Sequence, residues 1–174
     1  MLVILSGLPG VGKTAIAREL SRTIGAMHLR IDSIEQALRR AGHRVQAEGY
    51  EVAYAMAEDN LRAGLTVIAD CVNPWALTRA AWHSVAERAG VAALDVEIVC
   101  SDTAEHRRRV ESREPDIAGH VLPAWEGVVE RDYHVWDGER LVVDTAASGV
   151  TSSVRAIVDR LPAQARGATA SAGG

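Results

Sequence analysis

The apolar run LVILS, residues 2–6, leads straight into GLPGVGKT, residues 7–14, and from there into a stretch with the apolar spacing of an amphipathic helix. A strand, a loop with glycines at 7, 10 and 12, and a helix that opens at a lysine together wrap backbone around an anion. Glycine lets successive N–H groups turn inward, and the helix N-terminus adds its dipole. Lys13 is the only lysine among nineteen basic residues; the others are arginine. A compact ammonium fits the small concavity and reaches the β- and γ-phosphates of a nucleotide, where a planar guanidinium does not fit. Thr14 supplies a hydroxyl to Mg²⁺, and Gly7, Leu8, Pro9, Gly10, Val11, Gly12 and Ala15 complete the cradle. An ordinary glycine-rich turn followed by a surface lysine would not need every one of these positions to match.

Past the loop, short β-rich runs alternate with helical patterns. LVILS (2–6), MHLRI (27–31), LTVIAD (65–70), LDVEIVC (94–100) and RLVVD (140–144) read as strands, most of them apolar enough to be covered on both faces. Helices are predicted at about 12–24, 33–41, 48–63, 74–90, 102–113, 123–131 and 150–161. Connections of this length exclude hairpins and predict right-handed crossovers, hence a doubly wound α/β fold with a parallel sheet between helical layers. Asp32-Ser33, Asn73-Pro74 and Ser101-Asp102 supply caps or a first-turn proline where helices should begin. Residues 1–162 read as one domain without internal repeats. Residues 163–174, AQARGATASAGG, lack periodicity and read as a disordered tail.

With 174 residues, 48% of them hydrophobic, the chain suits a single domain with a full core. A net charge of −4 provides no positive field toward nucleic acid or anionic lipid, so the expected partner is a small molecule. Monomer and homodimer both remain open. The N-terminal apolar run is too short for a signal peptide or a membrane span, and a cytoplasmic location is expected. Cys71 and Cys100 each close an apolar run and are expected as buried, reduced thiols.

A phosphate loop alone does not separate kinase from GTPase or ATPase motor. With one lysine, the Asn-Lys-x-Asp guanine-reading motif is impossible, and the third strand ends in ADC without the Asp-Glu pair that ATPase machines use on water. Both absences favour transfer to a bound acceptor. The second strand is expected to end at Asp32, placing a carboxylate at the sheet edge where open α/β folds bind ligands. There it accepts the proton of an acceptor hydroxyl or holds Mg²⁺ through water. It also fits as the N-cap of the helix starting at Ser33, and the two roles coexist. Arg109 and Arg113, four apart, share a helix face that suits either the base and phosphates of a nucleotide or plain solvent. Asp70 and Asn73, at the same sheet edge as Asp32, suit acceptor or Mg²⁺-water contacts, with Asn73-Pro74 equally a helix start. Tyr50, Tyr54 and Trp75 suit an acceptor pocket or simply the core. His120 reads as a solvated loop residue, and no His/Cys/Asp cluster suggests a structural metal.

GLPGVGKT (7–14), IDSIEQAL (31–38), RAGLTVIAD (62–70), RVESR (109–113) and VVDT (142–145) together resemble the small P-loop kinases that include gluconate and shikimate kinases, and most closely the chloramphenicol phosphotransferase group. The resemblance implies a five-stranded parallel sheet in the order 2-3-1-4-5 and a mobile lid at 114–136. It implies ATP and Mg²⁺ as cofactors and Asp32 as base toward the acceptor hydroxyl. Arg109 and Arg113 then serve nucleotide and lid, Asp144 and Thr145 lie beside the nucleotide, and Arg131 adds a phosphate contact. The turn DCVNPW (70–75) departs from the glycine-rich turn of shikimate kinases, which argues against shikimate. The implied activity is transfer of the γ-phosphoryl group to a hydroxyl of a small molecule, an antibiotic or related metabolite. A polynucleotide or nucleotide-sugar kinase and a non-catalytic nucleotide-binding module are the alternatives.

Overall fold

Strand β1 (Leu2–Ser6) is buried along its whole length because another strand pairs with each of its edges and helices cover both of its faces. It pairs in parallel with β3 (Val67–Asp70) on one side and β4 (Ala93–Val99) on the other. Strand β2 (Met27–Arg30) extends the sheet beyond β3, and β5 (Leu141–Asp144) extends it beyond β4. The order β2-β3-β1-β4-β5, parallel throughout, is the one implied by the resemblance. The computed structural model describes residues 1–166. Among the described residues no helix is long and apolar enough to cross a membrane.

Alternation along β1 divides the core. Val3 and Leu5 face α1 (Lys13–Ile24) and α7 (Val150–Arg160), where Ile16, Leu20, Val154 and Ile157 pack against them. Leu2 and Ile4 face α3 (Glu48–Arg62) and α4 (Ala76–Arg88), meeting Ala53, Ala57, Leu61 and the fully buried Trp82. Two short helices complete the sheet's C-terminal edge: α2 (Ile31–Arg40) follows β2 without a linker, and α5 (Thr103–Ser112) follows β4. Asp102 caps α5 as expected, its side chain accepting from the Glu105 amide at 3.0 Å.

Several expectations are corrected. The second strand stops at Arg30, and α2 begins at Ile31, so Asp32 sits inside the first helical turn and caps nothing; its negative charge still suits the N-terminal end of the helix dipole. Helix α4 starts at Ala76 rather than at Pro74, because the chain is still extended at Trp75 (φ −108, ψ 146), after a left-handed Asn73 (φ 50). Cys71 is buried, but Cys100 is only half-buried; both thiols are free. Of the segment 163–174 expected as a tail, Ala163–Ala165 form a 3-10 turn with Ala165 packed on the α1/α7 core. The remainder of that segment, 167–174, lies outside the described residues.

The stretch after α5 contains a single short helix, α6 (Trp125–Val129), whose first residue packs edge-on against His106 at 5.2 Å. Of the segment 114–136 expected as a lid, its last residues are fastened to α4. Arg79 is buried and donates to the carbonyls of His134 and Val135 at 2.8 and 3.3 Å, while its guanidinium lies over the Trp136 ring at 4.0 Å. Trp75 Nε1 donates to Asp132 at 2.9 Å.

Gly7 has φ 140, and a Cβ there would overlap the Ile98 carbonyl oxygen, whereas Gly25, at the end of α1 with φ 66, has nothing within 4 Å. Gly7→Ala is therefore expected to lower unfolding free energy by about 3 kcal/mol or more, and Gly25→Ala by about 1 to 2 kcal/mol. Urea unfolding midpoints check the order. Equal losses would show that contact with β4 does not constrain the loop.

Candidate active site

The β1–α1 loop is held from two sides. Gly12 caps α1 with φ 101, and Gly10 (φ 86) comes so close to α5 that a Cβ would stand 2.5 Å from Val110 Cγ2. His106 Nε2, also on α5, lies 2.8 Å from the Pro9 carbonyl oxygen, the geometry of a donated N–H. Lys13 is buried at 8% exposure, and its Nζ donates to the Leu8 carbonyl at 2.8 Å. Burial lowers its pKa to about 8; Asp70 and Asp32 oppose that drop, and the like charge of Arg113 adds to it. The loop residues Pro9, Gly10, Gly12, Thr14 and Ala15 line the adjoining cavity, whereas Val11 turns into the α1/α7 core.

At the end of β3, Asp70 faces the loop. It is buried, and His28 Nε2 on β2 lies 3.1 Å from its Oδ2. Burial alone would raise the carboxyl; the His28 hydrogen bond, the Lys13 charge and the Thr14 hydroxyl hold it below its usual range. A fixed carboxylate beside a threonine hydroxyl is a hard-oxygen donor pair that fits Mg²⁺, a cation held by few protein ligands together with phosphates and water. Among the described residues no cluster of three His, Cys, Asp or Glu forms a dedicated metal cage. Thr14 and Asp70 would hold the ion. Asp32 lines the same cavity.

A smaller hollow of about 330 Å³ lies beyond the loop between Gly12, Ile16, Arg109 and residues 145–150. Arg109 donates to Thr145 Oγ1 at 2.9 Å and to its carbonyl at 3.1 Å, and Thr145 Oγ1 in turn donates to the Val11 carbonyl at 2.8 Å. Asp144 lines neither space: its carboxylate accepts from the amides of Ser101 and Ala146 and ties the β4 and β5 ends together. Arg109 borders both spaces, and Arg113 lines the main cavity.

The main cavity, about 1460 Å³, runs from the loop past Asp32 and Asp70 to an aromatic arm with Tyr50, Tyr54 and Trp75; Arg131 and His120 also reach it. Asn73 does not. It is fully buried, its Nδ2 donating to Ser6 Oγ at 3.0 Å and its carbonyl accepting from Arg79 Nε at 3.2 Å, so it shapes the turn instead of meeting a ligand. Cys71, below the arm, is pushed up to about 12 by burial and stays a neutral thiol.

Sequence reasoning passed over His28, Arg30, Arg18 and Asp116. Histidine and arginine two apart in the short strand MHLRI fall on one face, a polar pair in a strand otherwise built for burial, and that was the available signal. Arg30 and Arg18 both bind Asp116, at 2.7 and 2.5 Å, and Arg30 Nη2 is 3.7 Å from Asp32.

The family described as an AAA domain matches residues 2–130. No curated protein matches the chain. Among solved structures, it is similar to a kinase candidate from Chloroflexus aurantiacus, with a TM-score of 0.73 and 20% identity, covering 92% of this chain and 98% of that one. It is similar to the APS kinase of Mycobacterium tuberculosis in complex with AMPPNP and APS (TM-score 0.66, 19% identity, 91% and 95% covered). It is also similar to a gluconokinase from Sinorhizobium meliloti (TM-score 0.60, 17% identity, 88% and 87% covered). At these identities the likeness is one of fold.

Because Lys13 is the only side-chain amine and its pKa is about 8, acylation at this site should rise through that pH, well below the usual lysine range. Peptide mass spectrometry after brief labelling from about pH 6 to about pH 10 measures the profile, and ATP with Mg²⁺ should suppress it. A profile rising only above about pH 10, or labelling indifferent to ATP, would contradict this account of the loop.

Proposed function

The chain belongs to the AAA-domain family, and from that membership and the geometry of its site we propose that it is an ATP-dependent kinase acting on a hydroxyl of a small molecule. The observation that carries the reading is the single cavity of about 1460 Å³ joining the phosphate loop to an aromatic arm with a carboxylate between them. Ligand pockets commonly occupy about 300 to 1,000 Å³, so this one has room for a second substrate beside the nucleotide phosphates.

The loop amides and Lys13 orient the phosphates, and the Arg109–Thr145 pair borders the nucleoside. Thr14 and Asp70 would hold a Mg²⁺ ion, whose charge would offset that of the nucleotide phosphates, and the His28 hydrogen bond would keep the Asp70 carboxylate oriented for it. Asp32 stands on the acceptor side with 40% of its side chain exposed; Arg30 at 3.7 Å is too far for a hydrogen bond, which leaves the carboxylate oxygens free to take a hydroxyl proton. Arg113, already close enough to Lys13 to influence its charge, offsets the charge of the transferring group. The aromatic arm and the resemblance to the chloramphenicol phosphotransferase group support hydroxylated antibiotics and related metabolites as acceptors to screen.

Labelled ATP incubated with the protein and a library of hydroxylated compounds tests the reading. Asp32→Asn should leave the melting temperature nearly unchanged and reduce turnover by about 10² to 10⁴, the range for loss of a general base. Lys13→Arg should lose most turnover despite its conserved charge. Transfer that survives either change at near-full rate would remove that residue's role. Stoichiometric ATP binding with no transfer to any compound would favour the non-catalytic module.

A further inference from the structure

Beside Asp32, two arginines converge on one carboxylate. Arg30, the last residue of β2, is only 6% exposed; its terminal nitrogens donate to Asp116 at 2.7 and 3.0 Å, and its buried Nε has no partner. Arg18, one turn beyond Thr14 on α1, donates to the same Asp116 oxygen at 2.5 Å. Asp116 comes from the connection after α5, 86 residues from Arg30, and its side chain is 35% exposed. All three line the cavity that also holds Lys13 and Asp32.

We infer that Arg30 and Arg18 form an anion subsite for the acceptor, whose carboxylate, phosphate or sulfate group takes the place of the Asp116 carboxylate. The acceptor is then a hydroxylated molecule with a negative charge. The hydroxyl half of this statement rests on the kinase reading; the anion half does not.

A buried guanidinium requires a counter-charge, and the planar fork of Arg30 already presents the bidentate geometry that carboxylates and phosphates match. An incoming anion keeps the local charge balance, while Asp116, partly in water already, can move out on its surface connection. The hydrogen bonds from Arg30, and with them Arg18, hold the Asp116 carboxyl well below the usual carboxylate range, so the resident group is ionised and a ligand must carry charge to compete with it. An anion fixed on Arg30 also lies beside Asp32, 3.7 Å from Nη2, and brings a hydroxyl a few bonds away within reach of that base. Hydroxy acids and phosphorylated or sulfated alcohols therefore come ahead of neutral hydroxyl compounds.

A tethered competitor weakens every external ligand by its effective concentration, which gives a direct test. With the phosphate loop saturated by Mg²⁺ and a non-hydrolysable ATP analogue, calorimetry compares glycerol, glycerate and glycerol 3-phosphate on the wild type, Asp116→Asn and Arg30→Met. The Asp116→Asn variant should bind glycerate or glycerol 3-phosphate about tenfold or more tighter than the wild type, with glycerol unchanged. The tighter of the two names the anion. Arg30→Met should lose this binding while keeping its affinity for the ATP analogue, which also reports that it is folded; Arg18→Met, at an exposed position, gives a second variant with a weaker loss. If Asp116→Asn binds all three compounds as the wild type does, or binds charged and neutral ones alike, Asp116 is a structural latch and the subsite is wrong. That result leaves ATP binding and the Asp32 test untouched, so the kinase reading stands or falls separately.

Discussion

One buried ammonium organises this molecule. Placing Lys13 at the start of α1, beyond the loop that follows the central strand, requires backbone tight enough to enclose it, hence positive φ at Gly7, Gly10 and Gly12, and carboxylates near enough to offset its desolvation. Asp70 answers the second need from β3 and is itself bound by His28 from β2. The order β2-β3-β1 is thus an electrostatic sequence as well as a topological one: histidine and carboxylate come from two adjacent parallel strands, and the ammonium from the helix that follows the third. Helix α5 closes the loop from the other side through Val110 and His106.

Much of this was legible in the sequence because it is local. The strand–loop–helix opening, the alternation of apolar runs with helical periods and the Asp102 cap each depend on residues within a few positions of one another, and the structure reproduces them with boundaries shifted by at most two residues. Asp32 went astray for a local reason too: a strand running directly into a helix leaves no loop for a cap, and the Asp-Ser pair imitates one. Asn73 was misread because an asparagine after a strand suits both a ligand contact and a left-handed turn, and only the burial of its side chain decides between them.

What stayed hidden is paired over long distance. Arg30 meets Asp116 across 86 residues, and Arg79 meets the backbone of His134 and Val135 across 55 and 56. Neither partner has a pattern of its own, since an aspartate in a loop and two carbonyls look like solvent-facing groups until the fold brings an arginine to them. The heavy use of arginine follows the same logic. A planar cation stacks on Trp136 and binds carbonyls at once, or holds a carboxylate bidentately, where an ammonium could do only part of either.

These pairings also divide the segment after α5 into two physically different parts. Residues 132–136 are held to α4 by a buried guanidinium, two aromatic rings and an indole hydrogen bond. Residues near 116 are held chiefly by charge, through Arg30 and Arg18, at the cavity itself. The first attachment rests mainly on the buried Arg79 and its aromatic and backbone partners, whereas the second would share its cations with an entering anion. The Lys13–Arg113 pair adds a further term of the same sign: two cations near enough to lower the proton affinity of the lysine are a standing repulsion, and a polyphosphate between them turns it into attraction. In the proposed reading, nucleotide at the loop would draw the end of α5 inward at Arg113, while an acceptor anion would release the connection at Asp116 only three residues later. The two substrates would then act on adjacent points of one strand of backbone, and its final position would be set only with both present.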